Sequence, residues 1–140
     1  MCSATSALLL LSGCTEATEQ EAQLVLKGEG KQIVIGIDIA DEPEEREKGL
    51  MGRTDLQQGE GMLFTWQEPV EVQMWMKDTS LSLDMLFVRD GEVLGVISHT
   101  TPYSEKLLGI GQPIDAVLEV LAGEAERLGI RTGWQIELKN

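Results

Sequence analysis

The sequence predicts an α+β fold: a largely antiparallel, barrel-like β-sheet with two short helices. Three observations predict it. Short β-branched or alternating apolar stretches recur along the chain, as at Ile33-Val34-Ile35-Gly36-Ile37-Asp38-Ile39 and from Val70 to Met76. Tight-turn signals separate them, the strongest being Asp90-Gly91 between Met85–Arg89 and Glu92–Ile97. Only two segments read as helices, and both are too short to cover two faces of a parallel sheet.

Taken in order, Leu24-Val25-Leu26 and Ile33 to Ile39 form a first hairpin, with Gly28 and Gly30 between them. Asp41 then caps a helix, Glu44 completes a capping box, and Pro43 is tolerated in the first turn. The helix runs through Glu45, Arg46 and Glu47 and stops by Gly49 or Gly52. At about two turns it depends on packing rather than propensity. Leu56 to Gly61 is a loop, and Met62-Leu63-Phe64 is a short strand. The next strand places Val70, Val72, Met74 and Met76 on one face and Glu71, Gln73 and Trp75 on the other. It is expected to lie between two apolar surfaces, which makes Trp75 and Met76 structural. His99 to Gln112 is polar and irregular. Ala116 to Leu121 is a strand, and Gly123 to Leu128 a helix that Gly129 stops. Trp134 to Leu138 closes the sheet, for a total of about eight short strands.

The chain has 140 residues, room for one domain with a modest core. It carries 24 acidic and 11 basic side chains, a net charge of −13. Such a chain is repelled by phosphate backbones, which argues against nucleic acid as a partner. Ala7 to Leu11 is a short apolar run that ends in Leu11-Ser12-Gly13-Cys14. These four residues resemble the lipobox of bacterial lipoproteins. The resemblance implies that residues 1–13 are a signal peptide, that Cys14 is lipidated, and that residues 14–23 tether the domain, 24–140, to a membrane. The expected location is the cell envelope, facing the periplasm or the exterior. Cys2 would leave with the signal and Cys14 would be acylated, so no thiol remains for a disulfide, a metal or a nucleophile.

Within the domain, several blocks stand out. They are Glu45-Arg46, Gly49-Leu50-Met51 with Arg53, Gly61-Met62-Leu63-Phe64, Trp75-Met76-Lys77-Asp78-Thr79, Leu83-Asp84-Met85 and Val117-Leu118-Glu119-Val120. Together they resemble a widespread prokaryotic family, the domain of unknown function number 192. The resemblance covers roughly the whole domain and implies no catalytic role.

Arg46, Arg53, Lys77, Asp78 and Asp84 are the candidate polar cluster. Arg46 and Arg53 are seven positions apart, two turns on one face if the helix continues. Basic side chains beside Met and Trp would clamp a carboxylate or phosphate of a small ligand. The structural alternative, given more weight, is that Arg46 or Arg53 pairs with Asp84 and fixes the loop from Lys77 to Leu83. Nearby backbone amides are the other expected donors to Asp84. Met74 and Met76, with Met62, Met85 or His99, form a remote Cu(I) candidate, against which stands the use of Met as core filler. Asp84, Asp78, Glu119 or Glu45 would have to pair to serve as acid and base, as in glycosidases. No cofactor and no catalytic residue is assigned. The leading expectation is a lipid-anchored, non-catalytic module that binds an envelope protein or small ligand. The alternative is a carboxylate-dependent enzyme on an envelope carbohydrate or small molecule. A deep cleft with a buried carboxylate favours the enzyme; a shallow apolar groove favours the binder.

Overall fold

The computed structural model describes residues 22–139. Cys14, the lipobox and the tether up to residue 21 lie outside the described residues. In chain order the elements are β1 (Ala22–Gly28), β2 (Lys31–Ala40), α1 (Pro43–Lys48), β3 (Glu60–Glu71), β4 (Leu83–Arg89), β5 (Glu92–Ile97), β6 (Pro113–Leu121), α2 (Glu124–Leu128) and β7 (Gln135–Lys139). The strands close into a barrel in the order β1-β2-β3-β6-β4-β5-β7. Of the seven neighbouring pairs, β1 with β2 and β4 with β5 are hairpins, four more are antiparallel pairs of strands distant in the chain, and only β2 with β3 run parallel, joined by the crossover through α1. The expected antiparallel, barrel-like sheet with two short helices is what forms.

Local chemistry explains the hairpins. Glu29 and Gly30 both take positive φ, 52° and 75°, and Asp90 and Gly91 do the same at 48° and 77°. Two consecutive left-handed residues match the twist of the strands they join.

Four local expectations are corrected. Strand β1 starts at Ala22, so ordered chain reaches two residues into the stretch read as tether. Helix α1 is capped by Glu42, not Asp41, and Glu45 rather than Glu44 closes the box. Its carboxylate accepts the N–H groups of Asp41 and Glu42, both at 3.2 Å. Pro43, with no N–H to satisfy, takes the first helical position and thereby sets this register. Met62–Phe64 and the start of the Val70 segment are one strand, β3, which continues through an irregularity between Thr65 and Val70. This reduces the strands to seven, and β3 ends at Glu71. Beyond it Met74 makes only an isolated bridge to Leu108.

Two apolar layers result. The inner one fills the barrel with Leu24, Leu26, Ile35, Ile37, Leu63, Leu86, Leu118 and Val120. The outer one lies on the opposite face of β3, β4 and β6 and holds Met62, Phe64, Met85, Phe87 and Val117 with Leu50, Val72 and Met76. Burial on both faces is why Leu83 to Val88 is continuously inaccessible rather than alternating. Trp134 plugs the inner layer at 2% exposure. A Cβ at Gly28 would stand 2.3 Å from its ring, so only glycine leaves room there. The indole Nε1 of Trp134 finds no hydrogen-bond partner.

Candidate functional site

The outer layer is not fully covered. α1 and the stretch from Val72 to Thr79 leave a half-open cleft of about 250 Å³ above β3 and β6. Its walls are Leu50, Met51, Phe64, Trp66, Met74 and Met76. Basic residues Arg46, Lys48 and Lys77 also line it, with Glu47 beside them. Glu119 lies at its floor.

Glu119 reaches the cleft because of strand alternation. Leu118 and Val120 belong to the inner layer and Val117 to the outer. Glu119 therefore projects outward with Val117. Its ladder partners are Met62 on β3 and Met85 on β4, neither of which offers a side-chain donor. The residue is 4% exposed. Burial alone pushes its carboxyl up to about 8, with no hydrogen bond or cation opposing it. At neutral pH it is a neutral acid, able both to donate and to accept.

The mouth is fixed more firmly. The Arg46 guanidinium donates through Nη1 to the carbonyl of Thr65 at 2.9 Å and to that of Asp41, and lies 5.4 Å from the centre of the Trp66 ring. Lys77 Nζ lies 5.2 Å from the ring of Trp75. That indole is 39% exposed, not buried between two surfaces as expected, because the strand that was to carry it ends at Glu71. Met76 is 1% exposed and structural, as expected.

The five residues of the expected polar cluster are not brought together. Arg46 and Lys77 meet at the cleft. Arg53 does not share a helix face with Arg46, because α1 stops at Gly49. It pairs instead with Asp55 at 2.8 Å and Asp38 at 3.2 Å, in a separate polar depression. Those pairs are exposed and worth no more than about 1 kcal/mol each. Asp78 takes a φ of 52°, and its carbonyl accepts the N–H of Gly52. Asp84 is 1% exposed and pairs with neither arginine. It accepts from the backbone amides of His99 at 2.9 Å and of Gly123 and Ala125, both at 3.0 Å. The expectation of backbone donors holds and the arginine pairing does not. Asp84 fixes the start of α2 and the turn at His99, not the loop from Lys77 to Leu83.

Met51, Met74 and Met76 line the cleft, whereas Met62 and Met85 are packed in the outer layer and His99 is exposed elsewhere. Of the copper candidates, Met62, Met76 and Met85 share the outer layer with Met74 packed against it, and only Met74 and Met76 line the cleft. Of the carboxylates considered as acid and base, only Glu119 lines the cleft, and the other acid there, Glu47, is exposed. Glu45 is spent on α1, where the amides of Glu42 and Asp41 hold its carboxyl below its ordinary value. In the sequence Glu119 stands out only as one of four carboxylates and as a member of the block Val117-Leu118-Glu119-Val120. The available signal was its position, a lone acid inside the apolar run from Ala116 to Leu121.

The DUF192 family, described as an uncharacterized ACR, matches residues 24–138. A protein of Sinorhizobium meliloti, named as a candidate transcription regulator, has a similar structure. Its TM-score is 0.82 at 36% identity, over 84% of this chain and 93% of that one. A protein of unknown function from Novosphingobium aromaticivorans is similar at a TM-score of 0.79 and 36% identity, over 82% and 83%. No curated protein matches.

Proposed function

The chain belongs to the DUF192 family, and from that premise we propose that it is a lipid-anchored binding module of the cell envelope whose working site is the cleft over Glu119. One observation carries the reading. Blocks that are far apart in the chain, from Arg46 through Leu50-Met51, Phe64 and Trp75-Met76-Lys77 to Glu119, line a single cleft. These are the blocks on which the family resemblance rests. At its floor is a buried acid that the fold leaves uncompensated, where a leucine or methionine would be stabilising. Anchoring is supported by Leu11-Ser12-Gly13-Cys14. The name of the Sinorhizobium neighbour suggests work on nucleic acid. A net charge of −13 opposes that reading here.

The second reading, an enzyme on an envelope carbohydrate or small molecule, has one specific support. Glu119 is the buried carboxyl in a cleft that such an enzyme needs, and it keeps its proton at neutral pH, as a general acid must. The two-carboxylate chemistry of glycosidases requires a second positioned acid, and exposed Glu47 is the other one at the cleft. Binding is therefore preferred.

Native mass spectrometry of the full chain released from membranes in mild detergent tests this. Wild type should retain a small molecule, and Met74→Arg, which fills the cleft, should lose it. Retention by both variants places the molecule elsewhere and sinks the reading. Recovery of a chemically altered molecule after incubation would favour the enzyme. In parallel, Cys14→Ser should move the chain into the soluble envelope fraction.

A further inference from the structure

The class of molecule that fits the cleft follows from its two ends. This inference rests on the cleft being the binding site. The chain has an excess of acid, and five of its eleven basic residues, Lys27, Arg53, Arg89, Arg127 and Arg131, are engaged in ion pairs. Arg46, Lys48 and Lys77 are not in an ion pair among the described residues, yet all three line one mouth. Arg46 is held in place by carbonyls and an aromatic face, which orient its charge without neutralising it. In a protein of net charge −13, such a local field selects anions at this mouth.

The interior asks for something different. Leu50, Phe64, Trp66, Met74 and Met76 offer apolar and aromatic surface, Gln73 and Thr79 also line the cleft, with the Thr79 hydroxyl donating to the Lys77 carbonyl, and methionine adapts to an irregular ligand body. At the floor Glu119 is flanked by Met62 and Met85 along the ladder, so no neighbouring strand supplies a polar partner. A neutral carboxyl in such a place needs a group that both gives and takes a hydrogen bond. A hydroxyl or a primary amide does this. A methyl end leaves the acid unpaired. An ammonium end would require an ion pair to form where both partners are stripped of water. The volume, about 250 Å³, lies just below the usual range of small-molecule pockets, about 300–1,000 Å³.

We propose that the cleft takes a small amphipathic carboxylate, with its head among Arg46, Lys48 and Lys77, an apolar body against the methionines, and a neutral hydrogen-bonding group at its inner end paired with Glu119. The molecule is read at both ends, so a plain short-chain fatty acid satisfies one end only.

Titration calorimetry of the full chain in mild detergent with hexanoate, its ω-hydroxy derivative, its ω-amino derivative and hexanol is the test. Wild type should bind the ω-hydroxy acid about tenfold or more tightly than hexanoate, the size expected when a buried polar group gains a partner. Glu119→Leu should reverse that order. Glu119→Gln, which still donates and accepts, should preserve it. Lys48→Gln combined with Lys77→Gln should weaken the carboxylates and leave hexanol unchanged. Equal binding of hexanoate and its ω-hydroxy derivative overturns the proposal, as does preference for the ω-amino acid. If a co-purifying molecule is lost in Met74→Arg while this series shows no preference, the site stands and only the ligand class fails. If Met74→Arg binds the whole series like wild type, the site itself is wrong.

Discussion

The two faces of the β3–β6–β4 wall both bury apolar side chains, but by different means. Inside the barrel, the filling is aliphatic and closed on every side by strands, with Trp134 as plug. Outside it, the filling is Met62, Phe64, Met76, Met85 and Phe87, and the cover is a six-residue helix and irregular chain. Strands satisfy their own backbone groups and leave no opening. A cover of loops cannot tile a surface so completely, and the gap in it is the cleft. The inner face is thus a closed core, and the outer face is a core with a cleft in it. The same strand supplies both, since Leu118 and Glu119 are adjacent residues of β6.

Three measurements break or sharpen this contrast. The largest effect belongs to the inner face. Trp134→Ala should cost about 3–5 kcal/mol in denaturant unfolding, the usual range for removing a buried tryptophan from a core. A loss below about 1 kcal/mol would mean that the inner layer is not the main source of stability.

The second effect is on the outer face and depends on pH. Burial raises Glu119 from 4.5 in the unfolded chain to about 8. The folded state therefore holds this proton more tightly than the unfolded state does. Its contribution is complete below pH 4.5 and is lost as pH rises to about 8. Relative to wild type, Glu119→Gln should gain about 1.4 kcal/mol per pH unit through that window and level off above it. Parallel stability profiles of the two proteins would show that the carboxyl is solvated or compensated, and the outer face would lose its defining feature.

The third and smallest effect concerns the joint between layers and α2. Asp84→Asn should cost about 2 kcal/mol, because a carboxylate that accepts three amides is replaced by a group with its own N–H donors. Arg53→Gln should cost less than about 1 kcal/mol, and the two changes should add. Coupling between them in a double-mutant cycle would restore the arginine–aspartate link that the geometry denies.

Much of the fold was legible in the residues. Asp90-Gly91, the glycines after Leu26 and the stop at Gly129 act within a few residues of themselves, and each turn or helix end formed where it was expected. Where local signals competed, reading fell short by one residue, as at the Glu42 cap, or split one bent strand in two between Thr65 and Val70. The site was legible only in part. Of the five polar candidates, Arg46 and Lys77 line the cleft, whereas Arg53, Asp78 and Asp84 take partners elsewhere that their sequence neighbours do not reveal.

By itself, the sequence determined the periodicities, the turns, the excess of acid and the concentration of methionine between Met51 and Met85. These are properties of neighbouring residues, and sterics and burial act on them directly. Tertiary structure alone decided the rest. Closure of the barrel sets which strands are neighbours, and so places Met62 and Met85, not a donor, beside Glu119. The same closure brings the amides of His99, Gly123 and Ala125 onto Asp84. The two carboxylates sit in similar apolar stretches of sequence. One is satisfied and the other faces the cleft without a partner, because their neighbours come from strands and turns distant along the chain.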